Sequence, residues 1–496
     1  MQLSHSTPIE YLRRTLIRYV PKSLGLLLII PFLLLGTGCP SNSSSKPATT
    51  TKSSSNMGRG DAPPLIIGLL DGVDLETELT EGWQAFSDQR LQFVKISRQE
   101  LANYESIPTL DVVIYPANLL GSLAEQEWLA TVTPALIDKV TGAKRKPGNA
   151  IDEADEPSTG YETWSNRWRS IAKQGGKTLA IPLGGPCWVA TMRGLDDAPL
   201  RELHQAIISS QNSAQVASSK WEAFVTRAEE THKNRLASNL EDLNKRLSDR
   251  SSIDKRAVVN RFLWIMASSE SRYRGLFDAY KMTARINLPD FVRNAKLLHR
   301  LAVLEPSTAL GSPDAAWESV AEGRASFGIG WPRTDGYQRA ESFSKDQPLV
   351  IAPFLYNSAE GLLVSVSRKT RQSSTASDFI AWISSEDVRV SLQRKTPLVE
   401  VLDIDNDKNR VREDYREYQT LQRLEASNIS LDLTPRFIFA DTMIDLLGDA
   451  LLDILQKPET AEARLLACKQ EWDKLVIELG KERIRGSIEA TTGASK

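Results

Sequence analysis

The stretch Trp317–Pro332, with the sequence WESVAEGRASFGIGWP, decides the fold prediction. Its first half has the apolar spacing of a helix, for which Pro313 suits the first position and Gly323 suits the stop after the last turn. Its second half indicates a short strand, in which Phe327 and Ile329 alternate with small residues. A helix that leads into a strand is typical of an α/β fold.

The tryptophan at position 331 follows that strand directly. Gly330 leaves room for close approach, and Pro332 prevents further strand pairing. The indole of Trp331 is therefore predicted just past the carboxyl end of a strand, and this is the edge at which open α/β sheets bind ligands. Simple packing of Trp331 between helices is the alternative, and the local sequence does not choose between the two.

Strands and helices alternate from Pro64 onward. Leu65–Leu70, Leu91–Ile96 and Asp111–Tyr115 are apolar runs of strand length, separated by segments with helical spacing. This order predicts a parallel sheet with covered faces. The turn at Asp71-Gly72 and the loop after Tyr115 both follow carboxyl ends of strands.

The second half of the chain is predicted to be mostly helical. The Gly184-Gly185-Pro186 turn suits an interlobe crossing, because hinges need residues that absorb backbone change. Glu222–Arg250 is long and charged, and it indicates an exposed helical insertion. Asp441 caps an apolar helix, and Pro458 opens a last helix that stops at Gly480.

Composition places the chain among globular proteins. It has 496 residues, of which 41% are hydrophobic and 25% are charged. The formal net charge of −2 gives no electrostatic reason to expect nucleic acid or an anionic membrane surface as the main partner.

The N-terminus has the pattern of a secretory leader. Four basic residues lie between Arg13 and Lys22, and the apolar run Leu24–Leu35 is short for a membrane span but suits a signal-peptide core. The following Gly36–Cys39 resembles the lipobox of bacterial lipoproteins, although Gly36 stands where that pattern usually has leucine. An ordinary secretory signal or an uncleaved anchor is the alternative. Pro40–Pro63 is polar and indicates a flexible tether.

Catalytic and metal-binding signatures are weak. The sequence has no G-x-S-x-G elbow, H-E-x-x-H helix or phosphate-binding P-loop, and its four histidines lie in polar surroundings. Asp403–Asp407 provides the first ligand positions of a calcium loop, but Lys408 stands at the required glycine. Cys187 and Cys468 are predicted to be free, buried thiols. We therefore predict no catalytic residue, metal or cofactor.

Several of these stretches, in this order, resemble the extracellular solute-binding proteins (family 1) of ABC importers, in their lipoprotein form. The resemblance is carried by the motifs Asp111–Pro116, Leu123–Leu129, Ala180–Gly184, Gly328–Pro332 and Gly361–Arg368. The long Glu222–Arg250 segment departs from the family pattern.

The resemblance implies a two-lobed, periplasmic-binding-protein-like α/β fold with a ligand cleft between the lobes. The implied domains are a signal peptide (1–38), a tether (39–63), a first lobe (64–183 and 345–390), and a second lobe with the C-terminal helices (184–344 and 391–496). The expected ligand-binding residues are Tyr115 and Asn118 from the first lobe and Trp188 and Trp331 from the second, because aromatic rings stack on sugars while polar groups bind hydroxyls.

The implied function is capture of a small solute, with a carbohydrate favoured, and its delivery to ABC permease subunits. The protein would be an extracytoplasmic monomer in the periplasm or at the cell surface, held to the membrane by lipid (palmitate among its acyl chains) on Cys39. An extracytoplasmic carbohydrate-active enzyme or a ligand-sensing partner on the same fold is the alternative.

Overall fold

Strands and helices alternate in the N-terminal part of the chain, as the apolar runs predict. The computed structural model describes residues 62–101, 107–141, 166–184, 189–193, 202, 214–269, 276–278, 281–305, 310, 313–322, 324–325, 327–330, 349–352, 356–357, 361–395, 431–432 and 440–492. All of these residues belong to one compact unit, Gly58–Lys496.

The strands and helices of these residues are numbered in chain order. The strands are β1 (Leu65–Leu70), β2 (Leu91–Ile96), β3 (Val112–Pro116), β4 (Lys173–Gln174), β5 (Lys177–Thr178), β6 (Ile181–Gly184), β7 (Val189–Arg193), β8 (Phe277–Asp278), β9 (Thr283–Ala284), β10 (Phe327–Gly330), β11 (Leu349–Ala352), β12 (Tyr356–Asn357), β13 (Leu362–Val366) and β14 (Leu431–Asp432). The α-helices are α1 (Glu76–Phe86), α2 (Arg98–Leu101), α3 (Leu120–Glu125), α4 (Pro134–Thr141), α5 (Asn166–Ile171), α6 (Ala214–Thr231), α7 (Lys233–Ser248), α8 (Lys255–Ser269), α9 (Pro289–Leu304), α10 (Pro313–Ala321), α11 (Ser373–Ile383), α12 (Glu386–Lys395), α13 (Ala440–Gln456), α14 (Ala461–Leu479) and α15 (Lys481–Thr492).

The first sheet is mixed, with the strand order β2-β1-β3-β13-β6. Its strands β1, β2 and β3 are parallel, which confirms the predicted βαβ pattern. Strand β13 runs antiparallel to both β3 and β6. The carboxyl ends of β1 and β3 therefore lie next to each other at one edge of the sheet.

Helices cover this sheet and close an apolar cluster that we call the first core. Val112, Val113 and Ile114 are all buried, as expected for a strand with both faces covered. Trp83 of α1 packs against α11, with ring centroids 5.2 Å from Phe379 and 5.1 Å from Trp382. Residues far apart in sequence thus share one core.

A second apolar cluster, the second core, is built mainly from α6 to α9, α13 and α14. Trp472 of α14 donates its indole N–H to the carbonyl of Met443 at 2.9 Å. A second sheet, with the order β10-β7-β11, is antiparallel throughout. Its strand β10 and the preceding helix α10 confirm the helix and the strand predicted from the opening stretch.

Strand β11 pairs with β7. Two features differ from the sequence predictions. The segment 222–250 forms parts of two helices, and it is not simply exposed, because its apolar residues Phe224 and Leu243 are buried in the second core. The chain also continues beyond Gly480 as α15. The predicted limits of the two lobes stay a prediction.

Candidate functional site

The adjacent carboxyl ends of β1 and β3 present polar side chains at the same edge of the first sheet. Asp71 follows β1 in a left-handed turn with φ 55°, a conformation that aspartate tolerates better than most residues. Asn118 follows β3 on a short 3₁₀-helix, Ala117–Leu119. Sheet topology therefore brings together two residues that are far apart in the sequence.

Two residues on helices of the second core meet this edge. The guanidinium of Arg256, at the start of α8, donates through Nη1 to Asp71 Oδ2 at 3.3 Å and through Nη2 to Asp441 Oδ1 at 3.3 Å. Asp441, at the start of α13, also accepts a hydrogen bond from Asn118 Nδ2 at 2.5 Å. We call Asp71, Asn118, Arg256 and Asp441 the intercore network, because each core supplies two of its members.

The intercore network is half-buried rather than sealed. The side chains of Arg256, Asp71 and Asp441 are 23%, 22% and 16% exposed. Two carboxylates share one guanidinium, so the network has more acceptors than an isolated ion pair. Carboxylate oxygens, an amide and a guanidinium are the groups that bind hydroxyls of a polar ligand. The arrangement can therefore recognise a polyhydroxylated solute from two sides.

Tyr115, a predicted ligand-binding residue, lies in the first core. Its side chain is fully buried. Ser365 donates its hydroxyl to the carbonyl of Leu179 at 2.8 Å, so the Tyr115 hydroxyl donates to Ser365 Oγ, also at 2.8 Å. Burial raises the pKa of Tyr115 and keeps the phenol protonated. This position is typical of packing, because a ligand at the sheet edge cannot reach the ring.

The other predicted site residues are distributed differently. Asn118 lies at the predicted edge and belongs to the intercore network. Trp188, Trp331 and the predicted lipidation site Cys39 lie outside the described residues. Gly184, the first residue of the predicted hinge turn, has φ 121°, a value that favours glycine. The rest of that turn is also outside the described residues.

The other candidate residues in the described ranges give little support for a catalytic or metal-binding site. His299 is half-buried on α9, and its Nδ1 lies 2.7 Å from the carbonyl oxygen of Leu455. Within the described ranges, no cluster of three or more His, Cys, Asp or Glu side chains could hold a metal ion. The weak calcium loop at 403–414 lies outside those ranges. Cys468 is buried and has a free thiol, and burial, with nearby carboxylates, raises its pKa to about 12.

Within the part of the chain that the structure describes, no helix is both long enough and apolar enough to cross a bilayer.

The sequence patterns did not identify Asp71, Arg256 and Asp441 as members of the candidate site. For Asp71 a signal was present, because the Asp-Gly turn follows a strand at the ligand-binding edge. Asp441 was identified only as a helix cap, and Arg256 is one of many charged residues at the start of a helix. Only the packing of α8 and α13 against the first sheet brings these last two to the site.

Comparison with known proteins identifies the architecture. No protein-family model and no curated protein sequence matches the chain. Among solved structures, maltose-bound MalE3 of T. maritima is similar at 13% identity and a TM-score of 0.54, over 83% of this chain and 99% of that one. The sugar-binding protein MalE from Xanthomonas citri is similar at 10% identity and a TM-score of 0.53, over 84% and 98%.

A third similar structure is an ABC transporter solute-binding protein from Agrobacterium radiobacter K84 in complex with ribitol. It is 12% identical, with a TM-score of 0.52, over 83% of this chain and 100% of that one. At such low identities the likeness concerns the backbone arrangement, over 83–84% of this chain. The chain therefore has a periplasmic-binding-protein-like fold.

Proposed function

We propose that this chain is a solute-binding protein that captures a carbohydrate or polyol at the carboxyl edge of the first sheet. The intercore network is the observation that carries the proposal. It combines hydrogen-bond donors and acceptors from both cores, at the edge where open α/β sheets bind ligands. The similar structures bound to maltose and ribitol support the choice of ligand class.

Each member of the network has a defined part in this proposal. The carboxylates of Asp71 and Asp441 accept hydrogen bonds from solute hydroxyls, and Arg256 and Asn118 donate to hydroxyl oxygens. A solute that replaces some of the intercore bonds keeps these polar groups paired. Trp188 and Trp331 would add ring faces on which a sugar stacks.

The cellular setting follows from the leader. Lipid on Cys39 would anchor an extracytoplasmic monomer to the membrane, with the polar segment 39–63 as its tether. The bound solute would pass to ABC permease subunits. Binding and release need no bond-breaking step, so the proposal includes no catalytic residue.

Ligand titration of the purified protein tests the proposal. Maltose, tagatose and ribitol, compared with amino acids and peptides, should raise the melting temperature, because a ligand at 100 times its dissociation constant stabilises the fold by about 2.7 kcal/mol. Asn118→Ala should weaken binding about tenfold, the equivalent of about 1.4 kcal/mol, because it removes a hydrogen-bonding group from the site.

Asn234→Ala is the matched control. Asn234 lies exposed on α7, so the same substitution there should leave the affinity unchanged. Binding of amino acids or peptides without any response to sugars and polyols would contradict the ligand class. Equal affinity of the Asn118→Ala protein and the control would contradict the location of the site.

A further inference from the structure

The last helix of the described chain, α15, has two different contact faces. Ile484 is fully buried in the second core, and Ile488 packs against the same core four residues later. Residues four apart lie on one side of a helix. This apolar stripe fixes α15 to the second core.

The neighbouring face of α15 contacts the first core. Arg483 donates to Glu125 at the end of α3. Near the other end of the helix, the backbone N–H of Gly175 donates to the carbonyl of Ala490 at 2.9 Å. Carbonyls in the last turn of a helix have no partner within the helix. The Gly175 amide, from a hairpin of the first core, therefore caps the carbonyl of Ala490.

Gly175 belongs to a tight hairpin that joins β4 and β5. Gly175 and Gly176 have φ values of 58° and 74°, which suit a two-residue turn of the kind that glycine favours. The hairpin therefore presents the Gly175 amide in a fixed direction. Gln174 adds a longer contact from Nε2 to the carbonyl of Ser487, at 3.5 Å.

The contacts between α15 and the first core surround a cavity of about 710 Å³. Its walls include Ala124, Leu129 and Leu179 of the first core, and Ser487 and Ala490 of α15. The helix thus contacts the first core at Arg483, Ser487 and Ala490, and all three residues also line this cavity. The cavity leaves room for the two cores to move relative to each other here.

A glycine turn precedes α15. Gly480 separates it from α14, with φ 89° and no neighbouring atom that would meet an added Cβ. Because the buried Ile484 keeps α15 on the second core, the helix moves with that core. The helix therefore has one side fixed to the second core and a detachable side on the first core.

We propose that α15 is a strap that holds the two cores at a set spacing and thereby adjusts solute affinity. Its part in affinity rests on the proposed function, whereas its part in core spacing does not. Because the apolar stripe keeps α15 on the second core, relative motion of the cores must break the contacts of Arg483 and Gly175. Because Arg483 is exposed, these contacts can open and re-form without unfolding either core.

Reversal of the charge on the strap tests this proposal. Arg483→Glu places two carboxylates together and should release α15 from the first core. The expected results are about tenfold faster hydrogen exchange at the Gly175 amide, a larger radius of gyration without solute, and at least a threefold change in the dissociation constant for maltose or ribitol. The double variant Glu125→Arg/Arg483→Glu should restore the wild-type values.

Arg485→Glu is the matched control, because the Arg485–Glu482 ion pair lies within α15 itself. The strap proposal is contradicted if hydrogen exchange at Gly175 and the radius of gyration are unchanged in Arg483→Glu. It is also contradicted if Arg485→Glu changes them equally. If the Gly175 amide exchanges faster in Arg483→Glu while the dissociation constant for solute stays unchanged, α15 does not adjust solute affinity. If no solute binds the wild-type protein, the proposed function fails, and exchange and scattering still decide whether α15 is a strap.

Discussion

At the scale of single residues, the second core contains an ion pair that is almost completely buried. Arg261 is 1% exposed and donates to Glu305, which is 3% exposed. Burial raises the pKa of Glu305, although Arg261 and the backbone N–H of Ile329 favour the charged form. The desolvation cost of the carboxylate therefore exceeds the stabilisation that its partners provide, as is common for buried pairs.

This pair should show strong coupling between its two members. Glu305→Leu alone should lower the free energy of unfolding by about 3–5 kcal/mol, because it leaves Arg261 buried without its carboxylate. The double variant Arg261→Met/Glu305→Leu should lose far less, since no charge remains to be paired. Urea denaturation of the single and double variants measures this difference.

The pH dependence of stability provides the control. Because the folded-state pKa of Glu305 is raised, the unfolded chain loses this proton first as the pH rises. The contribution of Glu305 to the free energy of unfolding is complete below pH 4.5, its ordinary pKa. This contribution is lost as the pH rises from there through the folded-state pKa. The double variant should lack this loss. Additive effects of the two substitutions, with an unchanged pH profile, would contradict the account.

At the scale of elements, α10 and β10 pack unusually closely. A Cβ atom on Gly328 would lie 2.8 Å from the carbonyl oxygen of Ala316 and 3.0 Å from Val320 Cγ2. The first of these atoms is backbone and cannot turn away, so any side chain at 328 must separate the helix from the strand.

Gly328→Ala should therefore destabilise the protein by about 1–3 kcal/mol, as overpacking does. Gly486→Ala on α15 is the matched control, because a Cβ there meets no atom within 4 Å and alanine favours a helix. Chemical denaturation compares the two. If Gly328→Ala leaves the free energy of unfolding unchanged, α10 and β10 can separate without a loss of stability.

Local signals explain which elements could be predicted. The helix and strand around Gly328 were found because proline, glycine and apolar spacing agree there. The β4–β5 hairpin was missed, although Gly175-Gly176 is a turn signal. Helix α15 was missed because Gly480 was taken as the end of the last helix. The two elements contact each other through Gly175 and Ala490, which are far apart in the sequence.

The same limit applies to the candidate site. Asn118 was found because it follows a strand at the ligand-binding edge. Arg256 and Asp441 were not, since their place depends on how α8 and α13 pack against the first sheet. Tyr115 was predicted to bind ligand because it precedes a loop, but both faces of β3 are covered and its ring lies in the first core. Sequence indicates an edge, whereas packing decides which side chains reach it.

At the scale of the whole molecule, the intercore network and the strap helix are two separate links between the same cores. Arg256 and Asp71 join them at the sheet edge, and Arg483 and Glu125 join them at the helix α15. A molecule that closes on a solute needs links that are weak enough to break. Partly exposed ion pairs meet this need, because each contributes only about 0–1 kcal/mol.

Arg256→Met should therefore change the shape of the protein more than its stability. It removes the ion pair between the cores while its methylene groups keep most of their packing, so the free energy of unfolding should fall by about 1 kcal/mol or less. The radius of gyration without solute, measured by small-angle X-ray scattering, should rise. In 1 M salt the wild-type protein should expand toward the same value, since salt screens partly exposed charges, and the variant should respond less.

Arg250→Met is the control, because Arg250 on the second core pairs with Asp453 of the same core at 2.7 Å, although Arg250 is more exposed than Arg256. It should cost comparable stability and leave the radius of gyration unchanged. Saturating solute should compact the wild-type protein and both variants, because the solute then provides the bonds between the cores. If Arg256→Met keeps the wild-type radius in low salt, Arg256 does not hold the cores together, and other contacts, including that of Asn118 with Asp441, make the link at the sheet edge.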